Sequence, residues 1–555
     1  MKKTSTKLTM LVFLLGIAMG ALDSGIVSPA RDIIANGLNA SQSSSIWMIT
    51  IYTLAYAVAI PIMGKLADSF GRKKIYLISI FLFGIGSLFC GLADYFNSYS
   101  MLLTSRVIEA IGGGGIMPIA TSYVGTSFPK EKRGMALGII GAIFGIFTVI
   151  GPSLGSAILQ IFGNDNWGLL FFINVPISIV IIFMASKLEE KVTAKGVKID
   201  YAGSVTLTVL ILSLMYFLTN LKFDNLWKSI QSTDVWPYII IFIISIPVFV
   251  FFEKRAESPV LNLHYFKDRN ISILLILSLL VSFGLMAVVF LPQFSENVLK
   301  IPAGSGGYYT TIFAVFMGIA SPISGKLTDK IGAKIVIIAG FLLIAIGALY
   351  EGLVTCYNPS FINLFIGIGL IGFGTGFSFG TPMNYLMLSY VPDSEATMGQ
   401  STIALFRSIG IAVAPNVLIN YIADAAKKVP SAVQAVIPKM QGMGAASSAH
   451  GAVASSALQN ANAYNIFSSI KQMIEGQFAS LMKGGAGNPA MLGKLKEASV
   501  AYMAQLDNAK DSIVYAFQHT LNIGYSNMFI FSGVVSIVAM FIAFTLKDAK
   551  AKKVA

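Results

Sequence analysis

The chain has 555 residues, of which 55% are hydrophobic and only 12% are charged, and its mean hydropathy is +0.74. A soluble domain carries about 25% charged residues, so this composition predicts an all-α, polytopic membrane protein with no room for a soluble enzyme domain. The formal net charge is +13, but the basic residues cluster in short loops, where membrane orientation explains them without a nucleic-acid partner.

Apolar stretches that are long enough to cross a bilayer recur along the whole chain. About 20 residues of helix cross a hydrocarbon core roughly 30 Å thick. The first stretch runs on into Asp23 and Pro29 without a small-residue cleavage site, so we expect a retained span rather than a signal peptide. The fourteen predicted spans are 8–30, 46–67, 74–93, 99–122, 134–160, 167–187, 202–220, 236–253, 271–292, 307–327, 333–354, 361–388, 398–422 and 525–546.

Basic residues lie in alternate connections between these spans. The positive-inside rule therefore places those connections, and both termini, on the cytoplasmic side of the plasma membrane. The connection 389–397 fits less well, because it holds Asp393 and Glu395 and no basic residue. The basic groups are Lys65, Arg72, Lys73 and Lys74; Lys130, Lys132 and Arg133; Lys187, Lys191, Lys195 and Lys198; Lys254, Arg255, Lys267 and Arg269; Lys326, Lys330 and Lys334; and, at the ends, Lys2, Lys3, Lys7, Lys547, Lys550, Lys552 and Lys553.

One basic, glycine-containing phrase occurs twice, as GKLADSFGRKK at 64–74 and as GKLTDKIGAK at 325–334. The copies follow the second and tenth predicted spans, and such internal repetition is typical of secondary transporters, whose halves rock about a central site. The predicted organisation is a six-helix bundle over 1–190, two inserted spans over 191–260, spans 9–13 of a second bundle over 261–422, an outer loop over 423–522, and the last span and tail over 523–555.

The first copy has the composition of a gate on the cytoplasmic side. Gly64 and Gly71 permit a close helix approach and a tight turn. Asp68 lies between them, where a carboxylate can accept hydrogen bonds from a neighbouring helix N-terminus or pair with a basic residue. Such a contact can hold one face of a transporter shut and break when the halves rotate. The alternative is a basic turn that only satisfies the orientation rule.

The two copies differ in their basic residues. Arg72 and Lys73 follow the first turn, and Asp329 stands in the second copy where Asp68 stands in the first. Ala333 replaces the counterpart of Arg72. We therefore expect two gate contacts that are related but not equivalent.

The stretch WMITIYTLAYAVAIPIMGKLADSFGRKKIY at 47–76 resembles the second span and following loop of the major facilitator superfamily, specifically its fourteen-span drug:proton antiporter family. The resemblance implies a major facilitator fold of two six-helix bundles plus two inserted helices, which exports lipophilic drugs using the proton gradient and no cofactor. Further similar phrases, in the family's order, are RVIEAIGGGGIMPIA (106–120), GIFTVIGPSLGSAI (145–158), WGLLFFINVPISI (167–179) and ATMGQSTIALFRSIGIAVAP (396–415).

Charged residues within spans are costly and are by default functional. Asp23 lies about 22 Å along the first span, and the resemblance makes it the family's first-span carboxylate, implicated in proton or cation binding. A structural carboxylate neutralised by a nearby donor is the alternative. Downstream, Ala30, Arg31 and Asp32 stand where the family tends to read Ala-Leu-Pro, which gives Asp23 a local basic neighbour.

Arg106 and Glu109 are spaced i, i+3 on the fourth span, so they can interact. Arg106 resembles the arginine proposed to take part in proton coupling in the family; a structural bridge to backbone carbonyls is the alternative. The family more often has Gln at the place of Glu109. This acid is either a second proton or cation site or one half of a buried ion pair with Arg106.

Two further phrases carry an implied role. Gly145, Gly151, Pro152 and Gly155 belong to the fifth-span phrase that the family associates with export, and they provide a smooth, kinkable helix face; ordinary small-residue packing is the alternative. Arg407 matches the family's R-x-x-G phrase in the thirteenth span. We expect it to bond between domains, with a structural bond to backbone carbonyls as the other reading.

Aromatic side chains attract positive charge through their faces, so a cleft that combines them with an acid suits a lipophilic cation. Most aromatic residues of a membrane protein face lipid or the core, and each candidate alone is more often structural. The cleft candidates are Trp47, Tyr52, Tyr56, Phe144, Phe377 and Asn384.

The segment 423–522 is rich in Ala, Ser and Gly and is not a span. Apolar residues at helical spacing in 465–482 and 501–521 predict two amphipathic helices, joined as a hairpin over the outer mouth or lying on the membrane. A tolerated insertion with no role in transport is the alternative. The isolated Cys90, Cys356, His450 and His519 indicate neither a disulfide framework nor a metal site.

Together these features predict proton-coupled export of small lipophilic, cationic substrates across the plasma membrane by a monomer. A dedicated exporter of a lipid-like or peptide metabolite is a close rival, and a receptor or scaffold that acts through 423–522 is another. No nucleotide-binding phosphate loop is present, which disfavours direct drive by ATP.

Overall fold

The computed structural model describes residues 6–27, 30–188, 200–223, 225–302, 305–438, 462–484 and 489–547. All regular structure in these ranges is helical. Several residues discussed above lie outside the described residues: Lys2, Lys3, Pro29, Lys191, Lys195, Lys198, His450, Lys550, Lys552 and Lys553.

The helices fall into three groups along the chain. The first group is α1 (Thr6–Ile26), α2 (Arg31–Gly37), α3 (Gln42–Ser45), α4 (Trp47–Phe70), α5 (Arg72–Tyr95), α6 (Tyr99–Ser127), α7 (Lys130–Phe162), α8 (Leu169–Phe172) and α9 (Asn174–Ala185). The second is α10 (Tyr201–Asn220), α11 (Leu226–Ile230) and α12 (Trp236–Arg255). The third is α13 (Arg269–Ala287), α14 (Leu291–Leu299), α15 (Gly307–Ile331), α16 (Ala333–Tyr350), α17 (Phe361–Ser378), α18 (Thr381–Tyr390), α19 (Ala396–Ala426), α20 (Val429–Val436), α21 (Ile466–Gly484), α22 (Pro489–Asn508) and α23 (Lys510–Phe544).

Local sequence explains where several of these helices begin and end. The side chains of Ser98, Asp200 and Asp268 accept backbone N–H bonds at the starts of α6, α10 and α13, which satisfies donors that the first turn leaves unpaired. Gly71 and Gly332 end α4 and α15 with φ angles of +105° and +93°, which residues with a Cβ rarely adopt. The repeated phrase therefore makes the same turn in each half.

Thirteen helices of the described chain are long and apolar enough to cross a membrane, and each coincides with a predicted span. The sixth predicted span, 167–187, corresponds to the shorter apolar stretch Leu169–Ala185, which is divided at Ile173 between α8 and α9. The count of fourteen therefore stays a prediction. The first span ends at Ile26, earlier than predicted, and a separate helix begins at Arg31.

Each half of the molecule has its own apolar core. In the first half α1 packs on α7 and α6 packs on both α4 and α5, whereas in the second α13 packs on α19 and α16 packs on α17 and α23. The halves meet where α7 lies along α15 and where α4 and α6 lie against α19. A site between these helices is thus lined by both halves.

The inserted pair α10 and α12 packs at the junction of the two halves. Leu207 and Ile211 of α10 join an apolar cluster with Ile60 of α4 and Leu405 of α19. Most of α12 remains exposed, with Ile243 and other apolar residues facing outward, as a lipid-facing helix requires. The pair therefore contacts one helix of each bundle.

The helices α20, α21 and α22 form a small core against the first turns of α23. Ile470, Phe478, Leu506 and Phe517 are buried in it. The amphipathic stretch 465–482 is helical as predicted, but the stretch 501–521 is not one helix of a hairpin. It divides at Ala509, and its second part continues through α23 into the last span, because Lys510–Phe544 forms one unbroken helix.

Candidate functional site

A buried polar cluster lies inside the first bundle, where α1, α5, α6 and α9 meet. One guanidinium nitrogen, Nη1 of Arg106, lies 3.1 Å from Oδ2 of Asp23 and 2.6 Å from Oε2 of Glu109. All three side chains are buried, with 3%, 0% and 0% exposure respectively. The i, i+3 contact between Arg106 and Glu109 is present as predicted, and Asp23 joins them from another helix.

Neutral side chains complete the hydrogen bonding of this cluster. Nδ2 of Asn174 donates to Oδ1 of Asp23 and to Oγ of Ser87, each at 3.1 Å. Ser87 in turn donates to Oε1 of Glu109, and Sγ of Cys90 lies 3.6 Å from Oε2 of the same carboxylate. Side chains of α5 and α9 therefore help Arg106 of α6 to hold the two acids in place.

The cluster contains two carboxylates and one guanidinium, so with every group ionised its charge is one negative unit. A buried unbalanced charge is costly in a membrane interior. Binding of one proton to either acid removes the imbalance and leaves a single ion pair. The guanidinium of Arg106 also lies 3.9 Å from the ring centroid of Tyr52, which places an aromatic face of α4 against the cluster.

Arg31 is not the basic neighbour of Asp23 that the sequence predicts. It lies at the start of α2 and pairs with Asp32 at 2.9 Å, with the Arg31 side chain partly exposed and that of Asp32 mostly exposed. The basic partner of Asp23 comes instead from α6, about eighty positions away in sequence. Spacing along the chain gave no sign of this pairing.

The first gate phrase bonds across the two halves. Asp68 accepts hydrogen bonds from the backbone N–H groups of Thr397 at 3.2 Å and Met398 at 2.8 Å, in the first turn of α19. Arg72 pairs with the same carboxylate at 3.1 Å. Both binding modes predicted for Asp68, a helix N-terminus and a basic residue, are therefore present together.

Arg72 extends the contact to the connection before α19. It donates to Oγ1 of Thr126 at 2.8 Å, to Oγ1 of Thr397 at 2.9 Å and to the backbone oxygen of Asp393 at 2.5 Å. Glu395 of the same connection accepts from the Tyr265 hydroxyl at 2.7 Å. These bonds explain why this connection carries acids and polar backbone groups where the orientation rule expects basic residues.

The second gate phrase makes the counterpart contact in the opposite direction. Asp329, at the end of α15, accepts from the backbone N–H groups of Gly134 at 2.9 Å and Met135 at 3.1 Å near the start of α7. Each half thus presents a carboxylate from its second span to the start of the fifth span of the other half. We call the face that carries these two contacts the basic face, and in this structure the two halves are bonded together across it.

The other residues of the first phrase have different tasks. A Cβ on Gly64 would lie 2.7 Å from Cβ of Ser401, so the glycine permits α4 to touch α19. Lys73 does not reach the other half. Its Nζ donates to the backbone oxygens of Ser186 and Leu188 at 2.8 and 2.6 Å, which binds the end of α9 within the first bundle.

The glycine–proline phrase of α7 faces two different neighbours. A Cβ on Gly151 would lie 2.8 Å from the backbone oxygen of Leu22, and one on Gly155 would lie 2.6 Å from that of Ile26, both on α1. Pro152 reciprocates, because its Cδ lies 2.9 Å from a Cβ built on Gly25. These residues therefore join α7 tightly to the helix that carries Asp23.

The other end of the same helix faces the second half. A Cβ on Gly145 would lie 2.8 Å from Sδ of Met317, and one on Gly138 would lie 2.6 Å from the backbone oxygen of Ser321, both on α15. The glycine face of α7 thus runs from α1, the helix that carries Asp23, to the contact between the halves. The two interpretations of this phrase, ordinary small-residue packing and a role in export, therefore concern the same face of α7.

Aromatic rings line the meeting of the halves. Phe144 of α7 stacks on Phe379 with centroids 5.6 Å apart, and Tyr56 stacks on Tyr52 at 6.0 Å. Phe379 lies in the break between α17 and α18, where the predicted twelfth span is interrupted. Arg407 of α19 lies over the same ring, with Cζ 4.2 Å from its centroid.

The remaining cleft candidates lie elsewhere. Trp47 is exposed and packs 6.1 Å from the ring of Tyr216 on the inserted pair. Phe377 is buried inside the second bundle against Val336. Asn384 is also buried there, and its backbone oxygen accepts a bond from Gln400 at 2.9 Å.

Several buried polar residues, two of them in the polar cluster, escaped the sequence analysis. Asn174 and Ser87 are polar groups within apolar stretches, and that signal could have found them. Glu351 is a lone acid in the eleventh predicted span and is fully buried on a π-helical turn, Glu351–Thr355. Its two carboxylate oxygens have no hydrogen-bond partner among the described residues. No group of three potential metal ligands occurs in the described ranges.

Comparison with known proteins gives one family and several relatives. The family described as Major Facilitator Superfamily matches residues 13–415. Multidrug resistance protein 3 of Bacillus subtilis is 33% identical over 76% of this chain and 82% of its own length. The riboflavin transporter RibZ of Clostridioides difficile is 30% identical over 73% of this chain and 86% of its own length. The crystal structure of the human organic anion transporter MFSD10 has a similar fold, with a TM-score of 0.54 and 13% identity over 75% of this chain and 94% of that one.

Proposed function

The chain belongs to the major facilitator superfamily of membrane transporters, and on that premise we propose that it exports lipophilic aromatic molecules in exchange for protons. The observation that carries the proposal is the sharing of one guanidinium by two buried carboxylates. Relatives named as multidrug transporters support drug-like cargo. We further propose that the basic face is cytoplasmic, as the distribution of basic loops predicts.

Proton binding follows from the charge of the cluster. With Asp23 and Glu109 both ionised, Arg106 balances only one of them, so a proton is needed to make the site neutral. Release of that proton restores a negative site that attracts a cationic group of the cargo. Proton and cargo thereby compete for the same charge, which is the condition for exchange rather than co-transport.

The contact between α1 and α7 connects the polar cluster, where proton and cargo compete, to the basic face. Asp23 lies on α1, two positions from Gly25, and a Cβ on Gly25 would lie 2.8 Å from the backbone oxygen of Thr148 on α7. The same α7 packs along α15, and near its start the backbone N–H of Gly134 donates to the carboxylate of Asp329. A shift of α1 that follows the charge state of Asp23 would therefore move α7 against the other half.

The cargo site in this proposal lies between the two halves, beside the polar cluster. Tyr52 and Tyr56 of the first half and Phe379 of the second provide flat apolar faces, and the interrupted span at Phe379 is of the kind that lines transporter sites. Rocking of the halves would break the two Asp contacts on the basic face and open the site toward that side.

Efflux measurements test the proposal directly. Cells that express the protein are loaded with ethidium, and its loss is followed with and without a protonophore. We expect efflux that needs the proton gradient and that is lost in Asp23→Asn at equal expression. Asp32→Asn, which removes an exposed carboxylate nearby, serves as the matched control and should behave as wild type. Efflux that survives the protonophore would contradict proton coupling.

A narrower cargo is the second candidate. The relative RibZ is named a riboflavin transporter and is about as similar to this chain as the multidrug relatives are. A dedicated exporter would move one compound and ignore unrelated dyes. A panel of structurally unrelated aromatic compounds in the same efflux assay distinguishes a broad profile from a single substrate.

A further inference from the structure

Arg407 is a buried cation to which the described chain gives no counter-ion. Its side chain is 6% exposed, and its Nε and Nη2 have no hydrogen-bond partner among the described residues. No ion pair joins it to a described carboxylate, whereas Arg72 and Arg106 each have one. An arginine is always protonated, so its charge has to be balanced by something else.

The position of Arg407 is the proposed cargo site. Its guanidinium lies over Phe379, whose ring stacks on Phe144 of the opposite half. The guanidinium therefore lies beside the ring contact that joins the two halves.

The two unpartnered nitrogens form one edge of the guanidinium. Nε–H and Nη2–H point in parallel in the plane of the group, which is the geometry that binds both oxygens of a carboxylate. The ring of Phe379 lies 4.2 Å from Cζ, and the Nε and Nη2 edge has no hydrogen-bond partner among the described residues. A buried charge without a partner costs free energy, which a bound anion recovers.

We infer that Arg407 binds a carboxylate of the transported molecule, so that the preferred cargo is an aromatic compound that carries an acidic group. The inference rests on the proposed export function and specifies its substrate class. The polar cluster of the first half holds one excess negative charge, and Arg407 holds a positive one across the site. A zwitterion, with its cationic part toward Asp23 and its carboxylate on Arg407, satisfies both halves.

A matched pair of dyes tests the inference. Tetramethylrhodamine carries a carboxylate beside a cationic ring system, and its methyl ester keeps the ring system and lacks the negative charge. Binding of each to the purified full-length protein in nanodiscs is measured by fluorescence polarisation. A charge-assisted carboxylate bond corresponds to about a tenfold or larger change in affinity, so we expect wild type to bind the acid at least about tenfold more tightly than the ester.

Variants separate the anion site from folding. Arg407→Gln should lose this preference for the acid and keep its affinity for the ester, while Arg407→Lys should retain part of the preference. Arg31→Gln, which removes an arginine from the surface, should match wild type. Equal binding of acid and ester by wild type, or an unchanged preference in Arg407→Gln, would overturn the inference.

The result that would refute the export proposal differs from the result that would refute the anion site. The wild-type dye preference is measured without any gradient and does not require transport. If the acid is preferred but no dye leaves proteoliposomes when a proton gradient is applied, the anion site stands and export is refuted. If export occurs and acid and ester are bound and moved alike, export stands and the anion site is refuted.

Discussion

The substitution Asp68→Asn is expected to open the basic face. It removes the charge that Arg72 pairs with at 3.1 Å and weakens the two bonds from the start of α19 at 3.2 and 2.8 Å. Breaking a buried ion pair by removing one partner costs about 3–5 kcal/mol. The pair with Arg72 lies within the first half and outlasts opening, whereas the bonds from Thr397 and Met398 exist only while the two halves touch. Bonds to a charged acceptor contribute about 1.5–3 kcal/mol each, and that part of the cost falls on the closed state.

A loss of about 3 kcal/mol corresponds to on the order of a 100-fold shift in the equilibrium between closed and open states. Spin labels are attached at Phe70→Cys on α4 and Ser389→Cys on α18, one in each half, because both positions are exposed. The distance between the labels, measured by pulsed electron paramagnetic resonance, reports the separation of the halves. The two native cysteines are buried and should stay unlabelled. We expect a longer second distance to appear in Asp68→Asn.

The control for this experiment is Asp424→Asn. Asp424 pairs with Lys427 at 3.1 Å, but both side chains are about 60% exposed, and such surface pairs contribute little. Its distance distribution should match that of wild type. An unchanged distribution in Asp68→Asn would refute the argument that this carboxylate holds the basic face shut.

Two further substitutions test the packing. Gly138→Ala should destabilise the closed state by about 1–3 kcal/mol and give the same longer spin-label distance, because its Cβ would lie 2.6 Å from the backbone oxygen of Ser321. Gly476→Ala is the control, because its Cβ meets nothing within 4 Å and alanine favours the helix α21. It should leave the spin-label distance unchanged and should not lower the melting temperature. Phe478→Ala should loosen the small core formed by α20, α21, α22 and α23, with a cost of about 3–5 kcal/mol visible as faster hydrogen exchange there and unchanged efflux. Leu481→Ala, which is 40% exposed, should leave exchange unaltered, and equal exchange in both variants would contradict the assigned core.

Much of the fold follows from the requirements of the lipid bilayer rather than from contacts between particular residues. A bilayer requires each spanning helix to be long and apolar, and the sequence therefore predicts the thirteen long spans and the duplicated turn at Gly71 and Gly332. The sixth span is harder, because its helix is interrupted at Ile173. Hydropathy does not reveal the interruption of the twelfth span at Phe379 either, because an aromatic residue between two apolar helices does not lower the mean hydropathy of the span.

The site could be predicted only in its local contacts. Arg106 and Glu109 are neighbours on one helix, so their spacing predicts their interaction. The pairing of Arg106 with Asp23 and the binding of Asp329 to the start of α7 depend on which helices meet, and no pattern within a helix contains that information. Glu351 carried a usable signal, a charge within a span, yet its place on a π-helical turn is set by tertiary packing.

The most direct test of the central claim is the release of protons when cargo binds. Purified wild-type protein in weakly buffered detergent solution, mixed with a dye that it exports, should release a proton from the Asp23–Arg106–Glu109 cluster, followed with a pH indicator. Glu109→Gln leaves one carboxylate for one guanidinium, so it should bind the dye without releasing a proton, while Asp424→Asn should release as wild type does. Equal proton release by wild type and Glu109→Gln would contradict the account.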